Sequence, residues 1–265
     1  MRKALIGSLV VVAAMAGTAA AQNVTVTVEN MLAPGGFSFT PMWMALHNGS
    51  FDTYDTGAMA TSFPGLTELA EGGDTSVMSA AFSASGAGLA GGVQTTLAEG
   101  NGAPVFSPGE MASTNIAVGD ATVNRFFSFA SMVVPSNDLF ISNGSPTHFE
   151  LFDATGHFNG PMTIEIFGSQ VRDAGTEVND AFGGAAFSAN GGTSVDEAVA
   201  IRAFFSDGSD AAYLNDFVGT NTADGGTIGS AFGEDDLIAR ITIVPAPSTL
   251  GLGLLGLTGF VRRRR

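Results

Sequence analysis

Three carboxylates, Asp138, Asp173 and Glu177, are the groups whose types and spacing point most directly to chemistry. Asp138 comes just after Pro135, which ends the apolar run at residues 125–134, so it belongs on a loop beyond a strand. Asp173 opens the segment Asp173-Ala-Gly-Thr-Glu177, beyond an alternating run at residues 163–167. Gly175 lets the chain turn tightly enough for Asp173 and Glu177 to converge. Should that loop meet the Asp138 loop, three carboxylates surround one point. Calcium suits such a place, because it takes six to eight oxygen ligands at about 2.3–2.6 Å. Like charges gathered this way repel when empty, so bound calcium is expected to stabilise the fold. Ordinary turns account for the same residues equally simply, since Asp and Gly dominate turns for backbone reasons. Asp180 and Asp153 are alternatives to Glu177 as the third ligand. No EF-hand loop is present, because Asp173 onward lacks its regular oxygen spacing and sixth-position glycine.

Other chemistries find less support. Cysteine is absent, which excludes thiol catalysis, Cys-ligated zinc and iron–sulfur clusters. His47, His148 and His157 are the only histidines, and none has a zincin-like spacing. No Gly-x-Ser-x-Gly elbow occurs, and the Gly-rich stretch at 86–92 lacks the Lys-Ser/Thr of a phosphate loop. Carboxylate pairs for glycoside hydrolysis are defined by separation in space, so spacing alone does not test them. Trp43, Tyr54 and Tyr213 offer a sugar-stacking platform, but Trp43 lies between Met42 and Met44 and reads as core.

The elements that must position these residues are mostly strands. Residues 24–29 alternate with period two and are rich in β-branched side chains. Residues 125–134 read as a central strand, and residues 161–167 and 237–244 alternate clearly. Residues 64–70 read as a short helix, with Leu66 and Leu69 three apart. Residues 77–92 alternate weakly and then dissolve into glycine, while the polar stretch at 207–236 does not declare itself. Short strands joined by Gly/Asn/Asp turns, with few and brief helices, predict a mainly β protein built as an antiparallel sandwich.

Charge and the chain ends bound the rest. Six of the ten basic residues lie at the two ends, leaving four arginines against 25 carboxylates, a formal charge of −21. That surface repels nucleic acid and anionic membranes and attracts divalent cations. Residues 1–21 read as a secretory signal: a basic head, an apolar stretch of about a dozen residues and small residues before a cut. A domain is then expected over residues 22–244 and a tail over 245–265. The tail runs Pro245-Ala-Pro-Ser-Thr249, then a short apolar segment at 250–261, then four arginines. Its order resembles a PEP-CTERM-type sorting tail, with Ala246 where the usual motif has Glu. That resemblance implies an exosortase-like membrane enzyme as partner and a Gram-negative, exopolysaccharide-making host. The expected address is therefore the cell surface or extracellular matrix, with the tail serving as a transient inner-membrane anchor, a transmembrane helix in function although short for one.

Within the body, Ser131-Met-Val-Val-Pro-Ser-Asn-Asp138 and Asp173-Ala-Gly-Thr-Glu177 resemble the spondin amino-terminal domain family. The stretch from Leu46-His-Asn-Gly-Ser-Phe-Asp52 to Glu71-Gly-Gly-Asp74 is similar to the bacterial branch of that family. Leu139 stands where the animal members have an aromatic residue, and Glu177 replaces the family's second Asp. The resemblance implies an eight-stranded, C2-like sandwich with one or two short helices and one bound calcium ion. It also implies adhesion or matrix roles, with extracellular polysaccharide or surface proteins as candidate partners. A calcium-binding adhesion module without catalysis is thus the leading expectation. The alternatives are a secreted hydrolase acting on exopolysaccharide and a purely structural acidic surface protein.

Overall fold

The computed structural model describes residues 23–88, 93–98, 104–223 and 225–246. Strands β1 (Asn23–Asn30), β2 (Ser38–Phe39) and β3 (Met42–His47) come first, followed by helices α1 (Leu66–Gly72) and α2 (Ser76–Ala84). Then come β4 (Val93–Leu97), β5 (Met111–Ala117), β6 (Phe126–Val134), β7 (Leu139–Ser142) and β8 (Phe149–Glu150). The chain continues through β9 (Met162–Phe167), β10 (Arg172–Asp173), β11 (Arg202–Ala203), α3 (Asp210–Asp216) and β12 (Leu237–Pro245). Four strands form one sheet in the order β5-β1-β12-β9. Eight form the other, along the path β11-β10-β7-β6-β3-β4, with β2 and β8 also pairing with β6.

The smaller sheet follows directly from alternation. Val24, Val26 and Val28 are buried, and so are Ile241 and Ile243 on the paired β12. On the opposite face Thr25 and Thr27 bond Asn115 and Ser113 of β5 side chain to side chain, both at 2.7 Å. One face meets the core and the other meets water.

The larger sheet is different, because it is covered on both faces. Met44, Leu46, Phe127, Phe129 and Val133 join the core shared with the smaller sheet. Trp43, Ala45, Ala130 and Phe140 point the other way, into a second cluster with Leu66 and Leu69 of α1 and Met78 and Phe82 of α2. This explains why β3 is buried at every position and β6 at all but its first. Strands enclosed on two sides read as continuous apolar runs instead of alternating ones. Gly65 permits the close approach of the two helices: its φ is +87°, and a Cβ there would meet the Met78 nitrogen at 2.2 Å.

These features correct the expected eight-stranded, C2-like, mainly β sandwich. The chain is a mixed α/β fold with three helices of seven or more residues and two open sheets of four and eight strands. The helix expected over residues 64–70 forms as α1, while α2 lies in the weakly alternating stretch that pointed to no particular element. Its buried residues, Met78 and Phe82, are four apart, which is helical spacing. In the undeclared stretch, α3 buries Asp210, Tyr213 and Leu214, again at helical spacing.

A second correction concerns the membrane. Among the described residues no helix is long and apolar enough to cross a bilayer, so they contain no transmembrane helix of the kind expected and lend the inner-membrane anchor no support. The physical reason is length: α2, with nine residues, spans roughly 14 Å against a hydrocarbon core of about 30 Å. Residues 1–21 and the apolar run at 250–261 lie outside the described residues. Pro245 itself closes β12 opposite Val24, and the Ala246 N–H donates to the Asn23 carbonyl at 2.9 Å.

Candidate functional site

Asp138 sits at the turn joining the central strand β6 to β7. The Val134–Pro135 peptide at its start is cis. Ser136 closes the turn, its hydroxyl donating to the Val133 carbonyl at 2.6 Å and accepting the Leu139 N–H at 3.1 Å. Asn137 is tied to α3: its N–H donates to the Tyr213 hydroxyl at 2.9 Å, and that hydroxyl donates to Asn137 Oδ1 at 2.8 Å. Such a fully bonded turn gives the next side chain one direction, inward. Asp138 is completely buried.

There it meets the loop after β10. Asp138 Oδ2 accepts three hydrogen bonds: the Thr176 N–H at 2.7 Å, the Thr176 hydroxyl at 3.1 Å and the Glu177 N–H at 3.1 Å. The other oxygen, Oδ1, is buried and has no partner among the described residues. Gly175 makes the loop possible, with φ at +66° and no room for a Cβ, which would lie 2.5 Å from the Val199 carbonyl oxygen.

Asp173 is the neighbour in the sheet, paired in register with Leu139 on one side and Arg202 on the other. It is buried too, but its charge is answered. Oδ1 accepts the Gly175 N–H at 2.8 Å, and Oδ2 accepts Asn179 Nδ2 at 2.7 Å and Arg202 Nη2 at 2.6 Å. The same guanidinium forks onto Asp210, with Nη1 to Oδ2 at 2.8 Å and Nη2 to Oδ1 at 2.9 Å. One arginine therefore holds two buried carboxylates, at the sheet and at the start of α3. Bidentate geometry of this kind is what guanidinium does better than ammonium.

The electrostatics separate the two aspartates. Burial, with the Asp173 charge adding to it, lifts the Asp138 carboxyl from 3.8 to about 7, against the pull of the Thr176 and Glu177 donors. Burial also raises the Tyr213 hydroxyl, and the charges of Asp138, Asp173 and Glu177 push in the same direction. Arg202 is held above its ordinary value, chiefly by its hydrogen bonds to Asp210.

Of the three carboxylates singled out by sequence, Asp138 and Asp173 occupy adjacent buried positions. Glu177 contributes its main-chain N–H; its own half-buried carboxylate lies near Glu71, whose carboxyl is raised first by burial and then by the charges of Glu177, Asp196 and Glu68. Asp180 caps the Phe182 N–H at 2.9 Å, and Asp153 belongs to a separate turn with Thr155 and His157. Among the described residues, no group of three or more His, Cys, Asp or Glu side chains could hold a metal ion. A calcium ion at this place would thus rest on Asp138 Oδ1, an oxygen otherwise without a partner, with main-chain carbonyls and water making up its shell. The fit is partial: one oxygen is free, while Asp173 is spoken for by Arg202.

Sequence reading missed Arg202, Asn179, Asn137, Asp210 and Tyr213. Only Arg202 carried a signal, as the sole base between Asp173 and Arg240 in a run full of acids. The histidines take no part. His47 is buried against Ser128, and burial lowers it to about 4; His148 stacks on Phe149, and His157 faces Thr155. Neither the family models nor the curated proteins contain a match to this chain.

Proposed function

We propose that this chain is a non-catalytic binding module whose Asp138 loop takes up one cation, calcium being the ion suited to a carboxylate oxygen. A single observation carries the reading: Asp138 Oδ1 is enclosed and without a hydrogen-bond partner among the described residues. An ionised carboxylate in a dry site costs free energy unless something pairs with it, and Asp173 adds a second negative charge nearby. A cation against Oδ1 offsets both costs. Asp138 supplies the charge, with Asp173 behind it and the Glu177 N–H holding its other oxygen; carbonyls and water complete six to eight ligands. Because Arg202 already answers Asp173, the affinity belongs in the weak range of about 10⁻⁴–10⁻³ M. The two segments that meet here are also the two that resemble the spondin amino-terminal domain, which supports the same ion.

A proton is the competing occupant, favoured by the elevated carboxyl at about 7. Thermal melting at pH 8, with and without calcium, separates the two. Calcium at tenfold excess over its dissociation constant raises the melting temperature by about 3–6 °C, and the Asp138→Asn chain does not respond. No calcium effect on the native chain removes the ion from the account. The proton then predicts that the native chain alone, and not Asp138→Asn, melts higher at pH 6 than at pH 8.

A further inference from the structure

A cleft of about 330 Å³ opens on the larger sheet, bounded by Tyr54, Asn143, Ser145, His148, Phe149 and Arg172. Charge singles out Arg172. Four arginines belong to the described residues, and three of them are paired: Arg125 with Glu150, Arg202 with Asp173 and Asp210, and Arg240 with Glu29 and Glu165. Arg172 alone among them meets no carboxylate, in a chain where acids outnumber bases 25 to 10. Nor is it adrift. Its Nη1 donates to the main-chain carbonyls of Ser169 and Val171 at 3.0 and 3.1 Å, and its guanidinium carbon lies 5.9 Å from the Tyr54 ring centroid. The side chain is positioned, yet among the described residues no hydrogen bond engages Nη2, while Nε is buried without a partner. An arginine that finds no anion within so acidic a protein is left to find one in a ligand.

The remaining walls describe the rest of that ligand. His148 and Phe149 lie with ring centroids 4.4 Å apart, tilted by 32°, giving an aromatic surface beside the hydroxyl of Ser145, while the buried Asn143 amide is taken up by Phe129, Ser128 and the Ser145 carbonyl. Aromatic faces with polar groups at the margin suit a ring that is apolar on one face and hydroxylated at its rim. The volume lies at the small end of ligand sites, room for one such ring. We propose that this cleft binds a single acidic sugar residue, its carboxylate on Arg172 and its C–H face against the His148–Phe149 wall. A doubly charged phosphate is disfavoured, since one guanidinium balances one charge and the acidic surface repels the excess.

The test is calorimetric titration of the whole chain with glucuronate, with glucose and acetate as comparisons. Glucuronate is expected to bind at least about tenfold more tightly than either, because only it uses both the charge and the wall. Arg172→Gln is expected to weaken glucuronate by about tenfold or more and leave glucose unchanged, and His148→Ala, an exposed change, to weaken it by a few-fold. Should Arg172→Gln fail to fold, the glucuronate-to-glucose ratio in the native chain and the His148→Ala result decide. Absent glucuronate binding, equal binding of glucose or acetate, or no effect of either variant overturns the proposal.

Discussion

Asp138 grips Thr176 twice through a single oxygen, Oδ2 accepting both the main-chain N–H at 2.7 Å and the hydroxyl at 3.1 Å across 38 residues of chain. This clasp joins the loop before β7 to the loop after β10. Its strength comes from desolvation: donors to a carboxylate in a dry place are worth more than in water. Its weakness has the same source, because Oδ1 shares the burial without sharing the bonds.

Removing the clasp outright is therefore costly. Asp138→Ala loses three hydrogen bonds accepted by one oxygen and strands the Thr176 and Glu177 N–H groups, which predicts a loss of about 2–4 kcal/mol. Asp138→Asn keeps an acceptor for Thr176 while discarding the charge, and is expected to cost less than half as much. Urea denaturation of the two variants checks the order; equal losses would mean that the hydrogen bonds contribute little.

Arg202 is the second structural hinge of the site. Its side chain is about one-third exposed, but Asp173 and Asp210, which it holds, are nearly inaccessible. Arg202→Met leaves two buried carboxylates unpaired and predicts a loss of about 2–4 kcal/mol. Asp173→Asn in the same chain should restore part of it, since one of the two stranded charges is gone. Chemical denaturation of the single and double variants gives the coupling; strict additivity would argue against the shared lock.

Stability should depend on pH in two opposing ways. Asp138 is raised from 3.8 to about 7 in the folded chain, so the native state holds its proton more tightly than the unfolded one. Its contribution is fully present below about 4 and is lost as the pH climbs through 7, a change on the order of 2–4 kcal/mol. His47 runs the other way. Its folded value of about 4 lies below the ordinary 6.5, so its contribution is present above 6.5 and is lost as the pH falls towards 4, on the order of 2–3 kcal/mol. Denaturation between pH 4 and 8 should show Asp138→Asn steepening the acid-side loss and flattening the neutral-side one. A native profile that matches the variant at every pH contradicts the raised carboxyl.

What the sequence made legible divides along physical lines. Period-two alternation in β1, β9 and β12 is visible because one face of that sheet meets water, and the polar and apolar demands differ residue by residue. The larger sheet hides its second face for the converse reason: with helices behind it, β3 and β6 are apolar throughout and say nothing about which side packs where. Helix α2 was obscured because Ala and Ser fill its turns and only Met78 and Phe82 mark its buried stripe. Within the site, Asp138 and Asp173 were found through short motifs. The contacts that hold them join residues far apart in the chain: Arg202 to Asp173 across 29 positions and Tyr213 to Asn137 across 76. No local pattern encodes such pairings. They follow from strand order, in which β10 lies between β7 and β11.

Calcium titrated into the whole chain at pH 8, followed by calorimetry beside the Asp138→Asn chain, bears most directly on the cation seat. One site per chain with a dissociation constant of about 10⁻⁴–10⁻³ M, absent from the variant, is the predicted result. Many weak sites of equal strength in both chains, or no heat of binding in either, would contradict it: the acidic surface would then hold ions by charge density alone, and Asp138 would be a clasp with no ion to bind.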